Sequence, residues 1–192
     1  MAETGYDRVV LGAGSGGYAA ALRGAQRGLK VALIGADKLG GTGLHRGCVP
    51  TKALLHAAET ADAVREAATV GIKAAFEGVD MPGVQKYKNS IVSRLHKGLE
   101  GLVSSRGIDL IQGWGRLVAA DAAEVDGRRI TGRNVVLASG SYPKTIGQES
   151  SGGVPTSAEA PAVDHVPAPA VLLGGAAIGA PVHLVLAGLR HP

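Results

Sequence analysis

Apolar and polar positions alternate in long blocks over the first part of the chain. Residues 6–11 and 29–34 are short segments that end in apolar runs, and residues 18–26 between them are rich in Ala. Short apolar runs predict buried strands, and the alanine-rich block predicts a helix. The order strand, helix, strand predicts a βαβ unit with parallel strands, because parallel neighbours need a crossover of this length.

Two longer blocks in the middle of the chain have helical character. Residues 51–70 are rich in Ala and Leu, and residues 84–105 carry an apolar stripe. The stripe has spacings of three or four and consists of Val84, Tyr87, Ile91, Leu95, Leu99 and Leu102. This spacing places its members on one helical face, so the stripe predicts core packing. We expect a helical hairpin over the sheet.

Shorter periodic segments follow and predict further strands. Residues 109–117 form one candidate strand, and residues 134–138 form another. Between them, residues 124–130 carry Asp126-Gly127, which is typical of a two-residue hairpin turn. The pattern predicts an α/β domain with a small antiparallel β insertion.

The last quarter of the chain changes character. Gly, Ser, Pro and Ala fill most of the residues from 146 to 169, which predicts a linker that few core contacts cross. Beyond it, an apolar run and a glycine-rich turn repeat the opening strand-turn-helix pattern. The predicted domain organisation is a first domain over 1–146, a linker over 147–169 and the truncated start of a second nucleotide-binding domain over 170–192.

The apolar tail also raises the question of a membrane helix. Residues 170–189 contain no Asp, Glu, Lys or Arg, but four glycines, Pro181 and His183 argue against insertion. The polar residues 1–4 are no secretion signal. With one cysteine and no signal, we expect a cytoplasmic protein without a membrane partner.

Composition and charge exclude little more. A chain of 192 residues with 45% hydrophobic content can bury one good core. The formal net charge of +4 is too small to indicate a nucleic-acid partner. The basic side chains of the second long helix are expected to form its solvated face: Lys86, Lys88, Arg94 and Lys97.

The glycines between the first strand and the first helix carry specific chemistry. Residues 12–17 read Gly-Ala-Gly-Ser-Gly-Gly, the dinucleotide-binding fingerprint of Rossmann-like domains. Gly12 permits the tight turn, Gly14 lets the backbone approach a pyrophosphate, and Gly17 lets helix and strand pack closely. The helix N-terminus then offers free N–H groups to the phosphates. The alternative is a glycine-rich turn that binds nothing.

A second motif contains the only cysteine of the chain. Residues 40–52 read GGTGLHRGCVPTK, which resembles the redox-centre motif of the flavin-dependent disulfide reductases, and of dihydrolipoamide dehydrogenase in particular. The resemblance implies a second cysteine where Gly43 stands. With Cys48 alone, an intrachain disulfide cannot form. Cys48 precedes a predicted helix and lies four residues before Lys52, and both features favour the thiolate. An inert buried thiol is the alternative.

The resemblance implies FAD as the cofactor and no metal. It covers residues 6–140 well and implies that Ala138, Ser139 and Gly140 pass under the flavin, whereas Gly113 and Gly115 lie near the adenine. The implied cofactor-binding residues are Gly12, Gly14, Ser15, Gly16, Gly17, Asp37, Lys38, Gly41, Thr42, Cys48, Lys52, Gly115, Ala138, Ser139 and Gly140, of which Cys48 and Lys52 are also the implied catalytic residues.

One departure weakens the implied FAD site. The acidic residue that would hold the adenosine ribose is replaced by Gly35, and Asp37 comes two residues late. Unless Asp37 reaches back, the ribose loses a charge-assisted hydrogen bond of about 1.5–3 kcal/mol. We therefore expect FAD to bind, but more weakly.

The second glycine motif is degraded. Ala176 replaces the glycine that would approach a pyrophosphate, and Pro181 stands where the family commonly has glutamate, so we do not expect NAD to bind. The resemblance implies further parts that these 192 residues lack, including a dimer domain with a catalytic histidine. We expect a truncated, inactive or nearly inactive homologue of dihydrolipoyl dehydrogenase, and whether it is an enzyme stays open. The alternatives are a non-catalytic FAD or adenine-nucleotide module and an interaction scaffold, either self-associating or completed by a companion chain.

Overall fold

The secondary structure was obtained from a computed structural model, which describes residues 3–144, 155–166 and 170–190. The strands are β1 (Glu3–Leu11), β2 (Val31–Gly35), β3 (Asp109–Gln112), β4 (Gly115–Ala119), β5 (Ala122–Val125) and β6 (Arg128–Leu137). The α-helices are α1 (Ser15–Gln26), α2 (Gly41–His45), α3 (Cys48–Glu66), α4 (Met81–Ser105) and α5 (Gly179–Leu189). Short 3₁₀ helices cover Ala67–Val70 and Ala160–Ala162. The α/β class is confirmed.

The chain divides into two compact units. The first consists of residues 1–45 and 94–142, and the second of residues 46–93 and 143–192. Helix α4 contributes its C-terminal part to the first unit and its N-terminal part to the second. This division does not follow the domain boundaries expected from composition, which stay a prediction.

The first unit is built on one six-stranded sheet in the order β3-β2-β1-β6-β5-β4. Strands β3, β2, β1 and β6 are parallel, and β6, β5 and β4 are antiparallel. The parallel part has the 3-2-1-4 order that begins a Rossmann-like sheet, with β6 as its fourth strand. The predicted antiparallel insertion is also confirmed, and it extends the same sheet.

Both faces of the parallel strands are buried. On one face, Val9 and Ile34 pack with Ile130 in one apolar cluster. On the other, Val10 and Leu33 pack in a second cluster that includes residues of α1 and α4. All five residues of β2 are buried, which explains the continuous apolar run in its sequence.

Strand boundaries in the antiparallel part differ from the expected ones. The predicted Asp-Gly turn is present, since Asp126 and Gly127 have φ angles of 48° and 75°. Residues 109–117 are two strands and not one, because the chain turns at Gly113, whose φ is 147°. Strand β6 combines the second hairpin arm with the strand expected at 134–138.

In the second unit, α5 packs against α3. Leu54 and Ala58 of α3 form an apolar cluster with Val185 and Leu189 of α5. The approach is close, because a Cβ built on Gly188 would lie 2.8 Å from the Cβ of Ala58. The apolar tail is therefore a helix with one covered face, and the strand expected at 170–173 is not formed.

Part of the segment expected to be a linker contacts α4 in the same unit. The carbonyl oxygen of Pro161 accepts a hydrogen bond of 2.9 Å from Lys88 Nζ, and that of Val163 accepts one of 2.8 Å from Gln85 Nε2. Lys88 is only 7% exposed, and burial lowers its pKa. Its assignment to the solvated face was therefore wrong, because the Pro161 segment covers this lysine.

The core packing predicted for the apolar stripe of α4 is only partly confirmed. Tyr87, Leu95 and Leu102 are each more than 40% exposed, whereas Leu99 packs in the core and Val103 is buried. Spacing predicts which residues share a face, but the neighbouring elements decide which face is covered. Across the described residues, no helix combines the length and apolarity needed to cross a membrane.

Candidate functional site

The carboxyl ends of the four parallel strands meet at one edge of the first unit. Backbone hydrogen bonds continue past the strands: Gly12 N–H donates to Ile34 O (2.8 Å), and Ala138 N–H donates to Leu11 O (2.8 Å). Strand order reverses between β1 and β6, so the loops after these strands flank a topological switch point. Ligands of open α/β sheets bind at such points.

Two glycines of the first loop are required by close packing. A Cβ on Gly12 would lie 2.1 Å from Ala138 O, and a Cβ on Gly17 would lie 1.7 Å from Gly12 O. Gly12 also has a φ of 113°, which L side chains rarely adopt. Helix α1 begins at Ser15, three residues earlier than expected, so Gly16 and Gly17 belong to its first turn.

Gly14 has no such packing reason to be glycine. A Cβ there would find nothing closer than Gly41 Cα at 4.0 Å. Gly14 is the N-cap of α1, and this helix has neither a side-chain cap nor an acidic residue in its first turn. Its first N–H groups and the positive end of its dipole are therefore available to an anion.

The loop before α2 lies against the first loop. Gly40 N–H donates to Ala13 O (2.9 Å), and Gly14 and Gly40 form an isolated parallel bridge. Gly41 has a φ of 60°, and its Cβ would lie 2.7 Å from Gly14 Cα, so glycine is required here as well. The structure thus brings the predicted residues Gly14 and Gly41 together.

The side chains near these loops are mainly exposed. Ser15, Lys38 and Thr42 are exposed, as are Ser139 and Gly140 after β6. This places predicted polar side chains from three loops in solvent within the first unit, where they are accessible to a ligand.

Gly35, which replaces the acidic residue expected to bind the ribose, lies at the end of β2. Gly35 is buried, and its Cβ would lie 2.6 Å from that of Ala13. Asp37 is exposed, and its Oδ1 accepts the N–H of Lys38 at 2.7 Å. Gly113 N–H donates to Gly35 O (2.9 Å), so the Gly113 turn adjoins this position.

One residue beside this position had no role in the sequence prediction. Trp114 is 71% exposed and lies between Gly113 and Gly115. The signal that could have indicated it is an isolated tryptophan between two glycines at the end of a predicted strand.

A histidine pair near α2 was also missed. His45 Nε2 lies 2.9 Å and His96 Nδ1 lies 3.1 Å from the same Leu39 oxygen, and the two rings meet edge to face at 4.9 Å. Glu100 Oε1 lies 3.2 Å from His96 Nε2. These contacts hold the loop before α2 in place. In the described part of the chain, no group of three or more His, Cys, Asp or Glu residues could hold a metal ion.

The predicted redox residues belong to the second unit. Cys48 is the first residue of α3 and is exposed, as is Lys52. The helix start is confirmed by the hydrogen bond from Thr51 N–H to Gly47 O (3.0 Å). The position that lacks the second thiol, Gly43, lies in α2 and has open space where a Cβ would stand. The roles of Cys48 and Lys52 stay predictions.

Two surface cavities of the second unit are lined by residues other than Cys48 and Lys52. The larger, of 660 Å³, is lined by Lys73 and small or apolar residues between Ala68 and Ala75. The smaller, of 420 Å³, lies beside the start of α4 and is lined partly by Asp80, Asp164 and His165. Neither contains a residue predicted to bind FAD.

The sheet order, the glycine loops and the motif around Cys48 define an α/β protein with a Rossmann-like sheet. The sequence profile of the pyridine nucleotide-disulphide oxidoreductase family matches residues 6–191. The chain therefore belongs to this family.

Within the family, the chain is similar to dihydrolipoyl dehydrogenases. It is 38% identical over 191 residues to that of Bacillus subtilis (strain 168), an alignment that covers 92% of this chain and 40% of that protein. It is 37% identical over 186 residues to that of Chlamydia trachomatis serovar D, and this alignment covers 91% of this chain and 39% of that protein. For the Acholeplasma laidlawii protein the identity is 34% over 181 residues, covering 91% and 54%. The chain thus spans about half or less of the length of these relatives.

Proposed function

We propose that the first unit is an FAD-binding module. The observation that carries the proposal is the contrast among the glycines of one loop. Gly12 and Gly17 are required by backbone packing, whereas Gly14 faces open space in front of the first turn of α1. An absent side chain at an uncapped helix N-terminus suits the close approach of a pyrophosphate.

The residues of this unit fit FAD along the edge of the sheet. The pyrophosphate would lie at the N-terminus of α1, and the adenosine beyond Gly35 and Gly113. The flavin would pass beside Ala138 to Gly140, whose small side chains allow a close approach. Bound FAD would supply two-electron redox chemistry, and the protein would bind and orient it. Without a carboxylate at position 35, the affinity is lower than that of a site with the acid.

Replacing Gly14 with Ala tests the site without disturbing the fold. The added methyl group meets no atom closer than 4.0 Å, so we expect the variant to fold normally. It would obstruct the pyrophosphate, so FAD affinity should fall about tenfold or more, equivalent to about 1.4 kcal/mol. Fluorescence titration of the apoprotein with FAD measures this.

Gly98→Ala is the matched control for this experiment. It adds the same methyl group to open space on α4, in the same unit, and should leave FAD affinity unchanged. Equal FAD affinities for wild type and Gly14→Ala would contradict the proposed pyrophosphate position.

We further propose that the chain does not oxidise dihydrolipoamide. That reaction class needs a dithiol that cycles to a disulfide, and Cys48 is the only cysteine. We expect NADH formation from dihydrolipoamide and NAD to stay at the level of a Cys48→Ser variant. A Cys48-dependent rate in the FAD-loaded protein would disprove the proposal.

NAD binding is not part of the proposed function. The turn before α5 resembles the first loop, because a Cβ on Gly179 would lie 1.9 Å from Gly174 O, as one on Gly17 would from Gly12 O. The equivalent of Gly14 is Ala176, whose methyl group would obstruct a pyrophosphate. Equilibrium dialysis with NAD, in which we expect no binding, tests this step.

The second candidate function is an interaction scaffold. The exposed apolar side chains of α4 favour it, since Tyr87, Leu95 and Leu102 are each more than 40% exposed. The two functions are separated by one measurement. A folded protein that takes up no FAD on titration supports the scaffold and contradicts the module.

A further inference from the structure

The only tryptophan of the chain lies at the edge where the FAD site is proposed. Trp114 is 71% exposed, so most of its large apolar surface remains in contact with water. An indole offers a flat π-face together with one N–H donor, and such side chains are usually buried in a core or at a binding surface. Trp114 belongs to neither apolar cluster of the first unit.

The backbone fixes where this indole can lie. Gly113 N–H donates to Gly35 O at 2.9 Å, so Trp114 follows the residue that joins the end of β2. A Cβ on Gly113 would lie 2.4 Å from Val125, and one on Gly115 would lie 2.4 Å from Leu11. Both directions enter the core. Trp114 lies between these two positions, and its 71% exposure places the indole outside the core.

The same place lacks the usual polar contact to a dinucleotide. In Rossmann-like domains, an acidic residue near the end of the second strand binds the adenosine ribose. Here Gly35 holds that position and Asp37 is already hydrogen-bonded to the backbone of Lys38. An adenosine bound beyond Gly35 therefore passes an exposed aromatic face at the point where the carboxylate is missing.

We propose that Trp114 stacks on the adenine base of the bound dinucleotide. This inference rests on the proposed FAD site and adds a residue that contributes to its affinity. Stacking uses the π-face, which every nucleobase has, so the contact tolerates exchange of the base. Replacement of adenine by hypoxanthine or guanine changes the affinity little, in contrast to a site that reads the base by hydrogen bonds.

Acrylamide quenching of the tryptophan in the full chain tests the contact, because all indole emission comes from Trp114. ADP is the probe, and its binding is measured independently by calorimetry. Saturating ADP should reduce the quenching constant by about half or more, as expected for an indole covered on one face. Inorganic pyrophosphate, which lacks the adenine, should not shield the indole.

Substitutions give the second readout. Trp114→Ala should weaken ADP and FAD binding about tenfold, and Trp114→Phe should retain most of the affinity. Leu117→Ala is the control, since Leu117 is a 45% exposed apolar side chain on the neighbouring strand β4. Circular dichroism verifies the fold of each variant.

The outcomes separate this inference from the proposed function. If ADP and FAD bind while acrylamide quenching and the Trp114→Ala affinity stay unchanged, the stacking role is overturned and the FAD module stands. If neither ligand binds to the folded wild type, both are overturned. Binding with shielding and a selective loss in Trp114→Ala supports both.

Discussion

Glycines in one loop have different physical roles at the scale of single residues. A methyl group on Gly17 would lie 1.7 Å from Gly12 O, whereas one on Gly14 enters open space. Gly17 is therefore required by the fold, whereas Gly14 is free to serve a ligand. Sequence spacing alone assigns both to the same motif.

Gly17→Ala should destabilise the first unit. The added methyl group forces β1 and α1 apart, which costs at least about 1–3 kcal/mol, as overpacking does. Gly14→Ala should cost less than about 1 kcal/mol, because its N-cap has room for the methyl group. Urea denaturation of both variants measures the difference. Equal stability of the two variants would mean that the loop relaxes freely.

At the scale of elements, Arg65 connects two helices of the second unit. Its guanidinium donates from Nη1 to Gly188 O and from Nη2 to Arg190 O, both at 2.6 Å, and from Nη1 to Asp62 Oδ1 at 2.7 Å. The two carbonyls belong to the C-terminal end of α5, where helical carbonyls lack helical partners. Arg65 therefore caps α5 from α3.

Arg65→Ala should loosen α5. Loss of charge-assisted hydrogen bonds of this kind costs about 1.5–3 kcal/mol. Arg65→Lys keeps the charge but not the planar fork, so we expect an intermediate effect. Hydrogen exchange of the α5 amides reports the change directly. Arg23→Ala, at an exposed pair with Gln26 on α1, is the control and should leave α5 protection unchanged.

At the scale of the whole molecule, apolar side chains of the second unit remain exposed. Val171, Leu173 and Ile178 are 88%, 68% and 64% exposed. Large exposed apolar surfaces favour association. We expect the protein to self-associate at micromolar concentration, and the double variant Val171→Ser, Leu173→Ser to shift size-exclusion profiles toward the monomer. A monomeric wild type under the same conditions would show that these residues are not a contact surface.

Composition and contacts lead to different expectations about removal of the tail. A linker over 147–169 predicts that truncation after residue 147 leaves the preceding fold intact. The contacts lead to the opposite expectation, because α5 covers Leu54 and Ala58 and the Pro161 segment covers Lys88. Low hydrophobic periodicity indicates irregular backbone, but irregular backbone can still pack through carbonyl groups.

The sequence by itself determined the βαβ unit, the glycine loop, the Asp126-Gly127 turn and the family. These features depend on local periodicity and on backbone conformations that only certain residues adopt, so they can be recognised without any partner. The lack of a second thiol is likewise a property of the sequence alone.

Only the tertiary structure decided which face of α4 is covered, which residue buries Lys88 and what lies beside Gly35. Each of these depends on segments far apart in the sequence: Lys88 meets Pro161, and Gly113 meets Gly35. A pattern along one segment carries no information on its neighbour in space. The role proposed for Trp114 has the same origin, since its place beside Gly35 arises from the pairing of β2 with β3.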